Sequence, residues 1–170
     1  KKTTKIKKIL TKILKEDIKI INSLSKNYSD SYIKKSLSKY EGFKNVRIIG
    51  MGGSSLGTKA IYSFLKHKIK KNFIFFDNLE AKRIKDNKKH LNLIVSKSGN
   101  TLETIVNSNI FINKLDKNIF ITENKKNYLH MLAKKLKSEI VHHNNYIGGR
   151  YSVLSEVGML PADLMGFKPE

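Results

Sequence analysis

Three short stretches of the sequence combine residue types whose chemistry goes beyond packing. The first, "SKSGNTLET" (96–104), sets Ser96, Ser98 and Thr101 where an apolar run gives way to a helical pattern, with Lys97 among them and Glu103 just beyond. Hydroxyls gathered at a helix start, beside its free N–H groups and the positive end of its dipole, suit a dianion such as a phosphate group. The same residues also read as a capping box, with Asn100 as N-cap and Glu103 at the third helical position. The two readings are compatible, but capping alone leaves Ser96, Lys97 and Ser98 without a purpose.

The second stretch, "GMGGSSLG" (50–57), has the glycines that let a backbone turn tightly and approach a ligand, and it raises nucleotide binding as a possibility to test. A dinucleotide fingerprint requires a third glycine where Ser55 stands, although Asp77 closes the next strand where a ribose-binding acid would lie. As a P-loop the stretch has Thr58 and Lys59 in reversed order, which turns the lysine about 100° around the helix. A plain turn packing a helix on a strand stays open beside these readings. In the third stretch, "IGGRYSVLS" (147–155), two glycines precede Arg150. They let its backbone come close to a site, where the planar guanidinium could stabilise developing oxyanion charge; the plainer alternative is a surface cation. His142 and His143 at a strand end read as structural or exposed.

The elements that must position these loops are legible as a change of period. Ile6, Ile9, Leu10, Ile13, Leu14, Ile18 and Ile21 follow helical spacing, and Ile33, Leu37 and Tyr40 suggest a second, shorter helix. Beyond Phe43 come short β-branched and aromatic runs at 46–50, 73–77, 91–95, 118–122 and 139–143. Helical faces lie between them, Leu102, Ile105, Val106 and Ile110 forming one, and Leu129, Leu132, Ala133 and Leu136 another. Nearly continuous apolar strands alternating with helices predict an α/β fold, a doubly wound parallel sheet of about five strands covered on both faces. In such folds ligands sit beyond the carboxyl ends of the strands, where all three loops fall.

Bulk properties narrow the classes. The 170 residues suffice for one domain with a real core, and the absence of cysteine excludes disulfides and thiolate metal sites and suits a cytoplasmic setting. No apolar run approaches the ~20 residues of a spanning helix, so no membrane partner is expected. The formal charge of +20 raises nucleic acid, but the lysines are spread along helix faces without a recognised motif or interleaved aromatics. No nucleic-acid partner is therefore expected, and the field favours anionic metabolites.

Together the three loops resemble the glucose-6-phosphate isomerase family within the sugar isomerase (SIS) fold. "GMGGSSLG" is similar to its GIGGSxLG pattern, "SKSGNTLET" to SK[ST]xTTxET, and "GGRYSVLSEVGMLP" to GGR[FY]SVxSxVGLLP, in the same order and spacing from about Val46 onward. Other phosphosugar-binding SIS domains share the Ser-x-Ser-Gly-Asn-Thr form, whereas GGRYSVLS is more specific to the isomerase. The resemblance implies an N-terminal helical segment over 1–42 and an SIS domain over 43–170, truncated at its end. It implies a phosphate held by Ser96, Ser98 and Thr101 with the backbone about Lys97, and a sugar site lined by Gly53 and Ser54. Glu103 would orient the ring-opening histidine and Arg150 would stabilise the enediolate. The implied reaction interconverts glucose 6-phosphate and fructose 6-phosphate with no metal or cofactor, in an enzyme that is a homodimer when full length.

The chain departs from the pattern at Thr58, where proline is common, at Asn100, where threonine is usual, and at Glu156, which replaces a small residue. The family's proton-transferring glutamate, ring-opening histidine and C-terminal lysine fall beyond Glu170, and none of Glu123, Glu139, Glu156 or Glu170 sits in a matching motif. The expectation is an N-terminal portion, inactive alone. The alternative is a phosphosugar-binding module without turnover.

Overall fold

The computed structural model describes residues 2–25, 28–80 and 88–168. Five strands, β1 (Asn45–Ile49), β2 (Asn72–Phe76), β3 (His90–Val95), β4 (Lys117–Thr122) and β5 (Glu139–His142), form one sheet in the order β2-β1-β3-β4-β5. Every pairing is parallel, with Ile49 beside both Phe76 and Ile94. The order reverses between β1 and β3, and such a reversal opens a crevice at the carboxyl ends of the two strands.

The period of two along each strand divides the core between two faces. Val46, Ile48, Leu91, Leu93, Val95, Ile119 and Ile121 face α3 (Gly53–Leu65) and α6 (Glu156–Leu164), where Val157, Leu160 and Leu164 cover them. Ile49, Ile94 and Phe120 face α4 (Leu102–Phe111) and α5 (Tyr128–Lys135), beneath Phe111, Leu129 and Ala133. Burying each such side chain contributes roughly 1.5–3 kcal/mol. Pro161 has no N–H to offer the carbonyl of Val157 one turn earlier in α6. The buried hydroxyl of Thr58 donates to that carbonyl at 3.1 Å, tying α3 to α6.

Three sequence expectations change in detail. The helix expected over Ile6–Ile21 divides into α1 (Lys2–Lys15) and α2 (Lys19–Asn22), because Ile18 is extended and the Asp17 carboxylate accepts from Asn22 Nδ2 at 2.7 Å. The second helix is a 3-10 turn, Lys34–Tyr40, whose Leu37 and Tyr40 join the core while Ile33 stays exposed. The face that α4 buries is Thr104, Asn107, Ser108 and Phe111, and Leu102 is exposed. Small residues let α4 lie close to the sheet, and two of the polar side chains find local partners. Ser108 donates to the Thr104 carbonyl at 2.6 Å, and Asn107 donates to the Asn78 carbonyl at 2.7 Å.

At the amino edge of the sheet, the apolar run containing Arg47 hides a polar cluster. Arg47 donates to Asp116 Oδ2 at 3.3 Å and to the Phe111 carbonyl at 3.0 Å. Asn92 donates to the same carboxylate oxygen at 3.1 Å, and the His90 backbone N–H donates to the other at 3.0 Å. All four residues are buried, so the charges are held by one another rather than by water.

Candidate functional site

The loop after β3 is built by a glycine. Gly99 has φ +68°, and a Cβ there would meet the Asn127 side chain at 2.0 Å, so only glycine lets the chain turn under α5. The start of α5 then clamps this turn, Leu129 N–H donating to the Gly99 carbonyl at 3.1 Å and Tyr128 N–H to Asn100 Oδ1 at 3.0 Å. Inside the turn the Ser96 and Thr101 hydroxyls lie 2.9 Å apart, and those of Ser96 and Ser98 3.5 Å apart. Ser96 is buried, Thr101 is partly buried, and Ser98 opens to solvent at the loop's outer rim.

The capping box is not formed. The N-cap of α4 is Thr101, which places Glu103 second in the helix, and the Thr101 side chain makes no capping bond. Asn100 is engaged instead by Tyr128, which removes it from the helix end. The leading N–H groups of α4 therefore stand beside the hydroxyls, with a carboxylate on the same turn. Lys97 does not aim its ammonium into this cluster: Nζ donates to the Asn145 carbonyl at 2.6 Å and stands 3.8 Å from the Glu123 carboxylate. Hydrogen bonding from Lys125 is the main cause that holds the Glu123 carboxyl below its ordinary range.

The glycine loop adjoins this one directly, since a Cβ on Gly50 would meet the Val95 carbonyl at 2.8 Å. Closer still is the approach of the third loop. A Cβ on Gly53 would lie 2.0 Å from the Gly149 carbonyl oxygen and 2.9 Å from the Arg150 nitrogen, backbone atoms that cannot swing away. This contact brings Gly53, Ser54 and the exposed Arg150 into one open cavity of about 360 Å³, together with Met51, Gly148, Gly149 and Tyr151. Met51 and Tyr151 had no chemical signature; only their place inside the two motifs marked them.

Thus Ser96, Ser98 and Thr101 converge on one side of the switch point, and Gly53, Ser54 and Arg150 on the other. Among the described residues, Glu103 makes no hydrogen bond to either group. Lys59 pairs with Asp77 at 2.6 Å, so this lysine turns away from the glycine loop and occupies the acid that a ribose would need. His142 accepts from the Asn124 N–H at 3.1 Å, and His143 is fully buried, with its pKa lowered by loss of solvent. Glu156 is fully buried too, accepting from Tyr28 at 3.1 Å and from the Asn144 N–H at 3.2 Å. Glu139 holds Tyr40 at 2.8 Å, and Glu123 holds Lys125, while Glu170 lies outside the described residues. A wider groove of about 790 Å³ runs between the N-terminal segment and the loop after β5, lined by Lys19, Tyr28, Asn144 and Tyr146. Its lining includes the hydroxyls of Ser23, Ser25, Ser29 and Ser31, but no guanidinium, and it lies away from the switch point. Among the described residues no three metal-ligating side chains gather.

Known proteins place this arrangement. The phosphoglucose isomerase family model matches residues 12–169. Glucose-6-phosphate isomerase of Borreliella afzelii is 36% identical over 91% of this chain and 32% of its own length. That of Methanocaldococcus jannaschii is 35% identical over 82% of this chain and 38% of its own. The chain thus spans about a third of the length of these relatives. Among solved structures, a hypothetical protein of Thermus thermophilus superposes with a TM-score of 0.68 at 26% identity, covering 79% of this chain and 37% of that one. A tagatose-6-phosphate ketose/aldose isomerase of Escherichia coli, at 15% identity and a TM-score of 0.57, shares the fold over 78% of this chain and 40% of its own. With the family model matched over nearly the whole sequence and its three loops meeting at one sheet edge, the chain belongs to the phosphoglucose isomerase family.

Proposed function

We propose that this chain is the phosphate-binding and charge-stabilising part of an enzyme that interconverts glucose 6-phosphate and fructose 6-phosphate. The phosphate sits among the hydroxyls of Ser96, Ser98 and Thr101, the N–H groups that begin α4 and the backbone about Lys97. Gly53 and Ser54 line the sugar. After ring opening, a base removes the proton from C2, the electron pair forms the enediolate, and the proton returns at C1. Arg150 opposes the charge that builds on the oxygen, and Glu103 orients the histidine that opens the ring. Base and histidine come from a part of the enzyme outside residues 1–170, so this chain alone does not turn over substrate.

The observation that supports this reading is the contact of Gly53 with the Gly149 backbone, which brings Arg150 into one cavity with Gly53 and Ser54 of the glycine loop. The same reading divides the chain into an N-terminal helical segment, 1–42, and an SIS domain, 43–170, and assigns the whole enzyme to the cytoplasm as a homodimer. Neither a membrane nor a nucleic acid is a partner. No helix among the described residues is long and apolar enough to cross a membrane. A binding module without turnover is the second reading. It is favoured by one fact: Glu103 is the sole carboxylate in stretches 50–57, 96–104 and 147–155.

Calorimetry with a phosphorylated inhibitor tests the site. Each of Ser98→Ala and Thr101→Ala should weaken binding by about 1.5–3 kcal/mol, the worth of a charge-assisted hydrogen bond. Unchanged affinity in both variants removes the hydroxyl turn from the site. An assay of the whole enzyme decides between catalysis and binding alone.

A further inference from the structure

We propose that the Lys97 side chain is a positioning residue, a strut that fixes the distance between the hydroxyl turn and the loop carrying Arg150. The inference rests on the phosphate site proposed above, in which only the backbone about Lys97 has a role. The Lys97 side chain leaves the hydroxyl turn and crosses to the neighbouring loop, where Nζ donates to the Asn145 carbonyl at 2.6 Å. Its own carbonyl is held from the opposite direction by the Glu123 N–H at 3.1 Å and the Thr122 hydroxyl at 3.4 Å, which anchors the base of the strut to the end of β4.

The Glu123 carboxylate, 3.8 Å from Nζ and nearly buried, keeps the ammonium on this side. Asn145 lies in the connection from β5 to Gly148, Gly149 and Arg150, and the buried Ile147 closes that connection through a bond from its N–H to the Asn144 carbonyl at 3.1 Å. A donor from the first loop thus holds a carbonyl five residues before Arg150. The function of such a link is to set the span of a ligand that touches both loops. Affinity for a ligand confined to the hydroxyl turn should not depend on it.

The test compares two probes on the full 170-residue chain: inorganic phosphate, which fills only the turn, and 6-phosphogluconate, whose phosphate and carboxylate lie at opposite ends of a six-carbon chain. Lys97→Met should leave the dissociation constant for phosphate within about twofold and raise that for 6-phosphogluconate about tenfold, the loss expected when one charge-assisted contact is no longer positioned. Lys97→Arg keeps a cationic donor and should retain the wild-type ratio. Amide exchange should quicken over 144–150 in the Met variant and stay unchanged over 96–101.

Equal weakening of both probes means that the ammonium acts on the phosphate itself, and overturns the strut. So does an unchanged ratio, a ratio in Lys97→Arg as low as in Lys97→Met, or unaltered exchange over 144–150. A wild-type chain that binds phosphate no less tightly than 6-phosphogluconate overturns it as well, because the second loop then adds nothing. Failure of the wild type to bind either probe removes the phosphate site, and the strut with it, an outcome distinct from all the others.

Discussion

The two edges of the sheet both carry polar residues and use them in opposite ways. At the amino edge Arg47, His90, Asn92 and Asp116 are buried, and hydrogen bonds join the carboxylate of Asp116 to the other three. At the carboxyl edge Ser98 and Arg150 are exposed, the Thr101 side chain at the start of α4 makes no capping bond, and two loops touch backbone to backbone around an open cavity. A polar cluster whose charges are buried and bonded to one another stabilises one structure, whereas one that leaves donors turned outward is prepared for a ligand. The difference lies in partnering more than in composition.

The largest effect should come from breaking the sealed edge. Asp116→Ala removes a buried carboxylate that accepts from Arg47, Asn92 and the His90 N–H, and the expected loss is about 3–5 kcal/mol of unfolding free energy, measured by urea denaturation. A loss under about 1 kcal/mol would show that water reaches this cluster and that the contrast between edges is weaker than drawn. Second comes Arg150→Lys in the whole enzyme, which keeps the charge but removes the planar fork. A kcat reduced about 10²-fold with KM little changed is expected if the guanidinium acts on the enediolate. A raised KM with kcat preserved would make it a ground-state phosphate contact instead.

Gly53→Ala tests the contact between loops. The new methyl group meets rigid backbone, so about 1–3 kcal/mol of destabilisation should accompany weaker binding of a sugar phosphate. Thermal melts and calorimetry on one sample read both, and an alanine tolerated in both assays would mean that the Arg150 loop yields easily.

The smallest effect concerns His143, a sealed residue beneath the open edge. Burial lowers its pKa from the ordinary 6.5, so below that pH the unfolded chain takes up a proton that the folded chain resists. Its contribution is therefore fully present above about pH 6.5 and declines as pH falls through 6.5 toward the lowered folded value. Unfolding free energies measured from about one pH unit below 6.5 to one above should rise with pH, with a shallower slope in His143→Gln. Equal slopes would show that this imidazole protonates freely in the folded state.

The sequence by itself determined the five strands to within a residue or two, their alternation with helices and the three loops at one edge. Strand runs such as Leu91–Val95 are apolar at nearly every position, and the period of two against the period of 3.6 is a local property that any window of the chain displays. It did not determine which face of α4 is buried. Asn107 and Ser108 look like part of a solvent face until the Asn78 and Thr104 carbonyls are found beside them. Nor did it reveal that Arg47, inside an apolar run, has its carboxylate 69 residues away, or that the Thr58 hydroxyl replaces the donor that Pro161 lacks. The capping box was misread for the same reason, since Tyr128, brought alongside by α5, takes Asn100 from the helix end. Residue types fix what a group can donate, accept or bury. Which partner stands within about 3 Å of it is a consequence of how distant segments pack, and only the tertiary structure decides that.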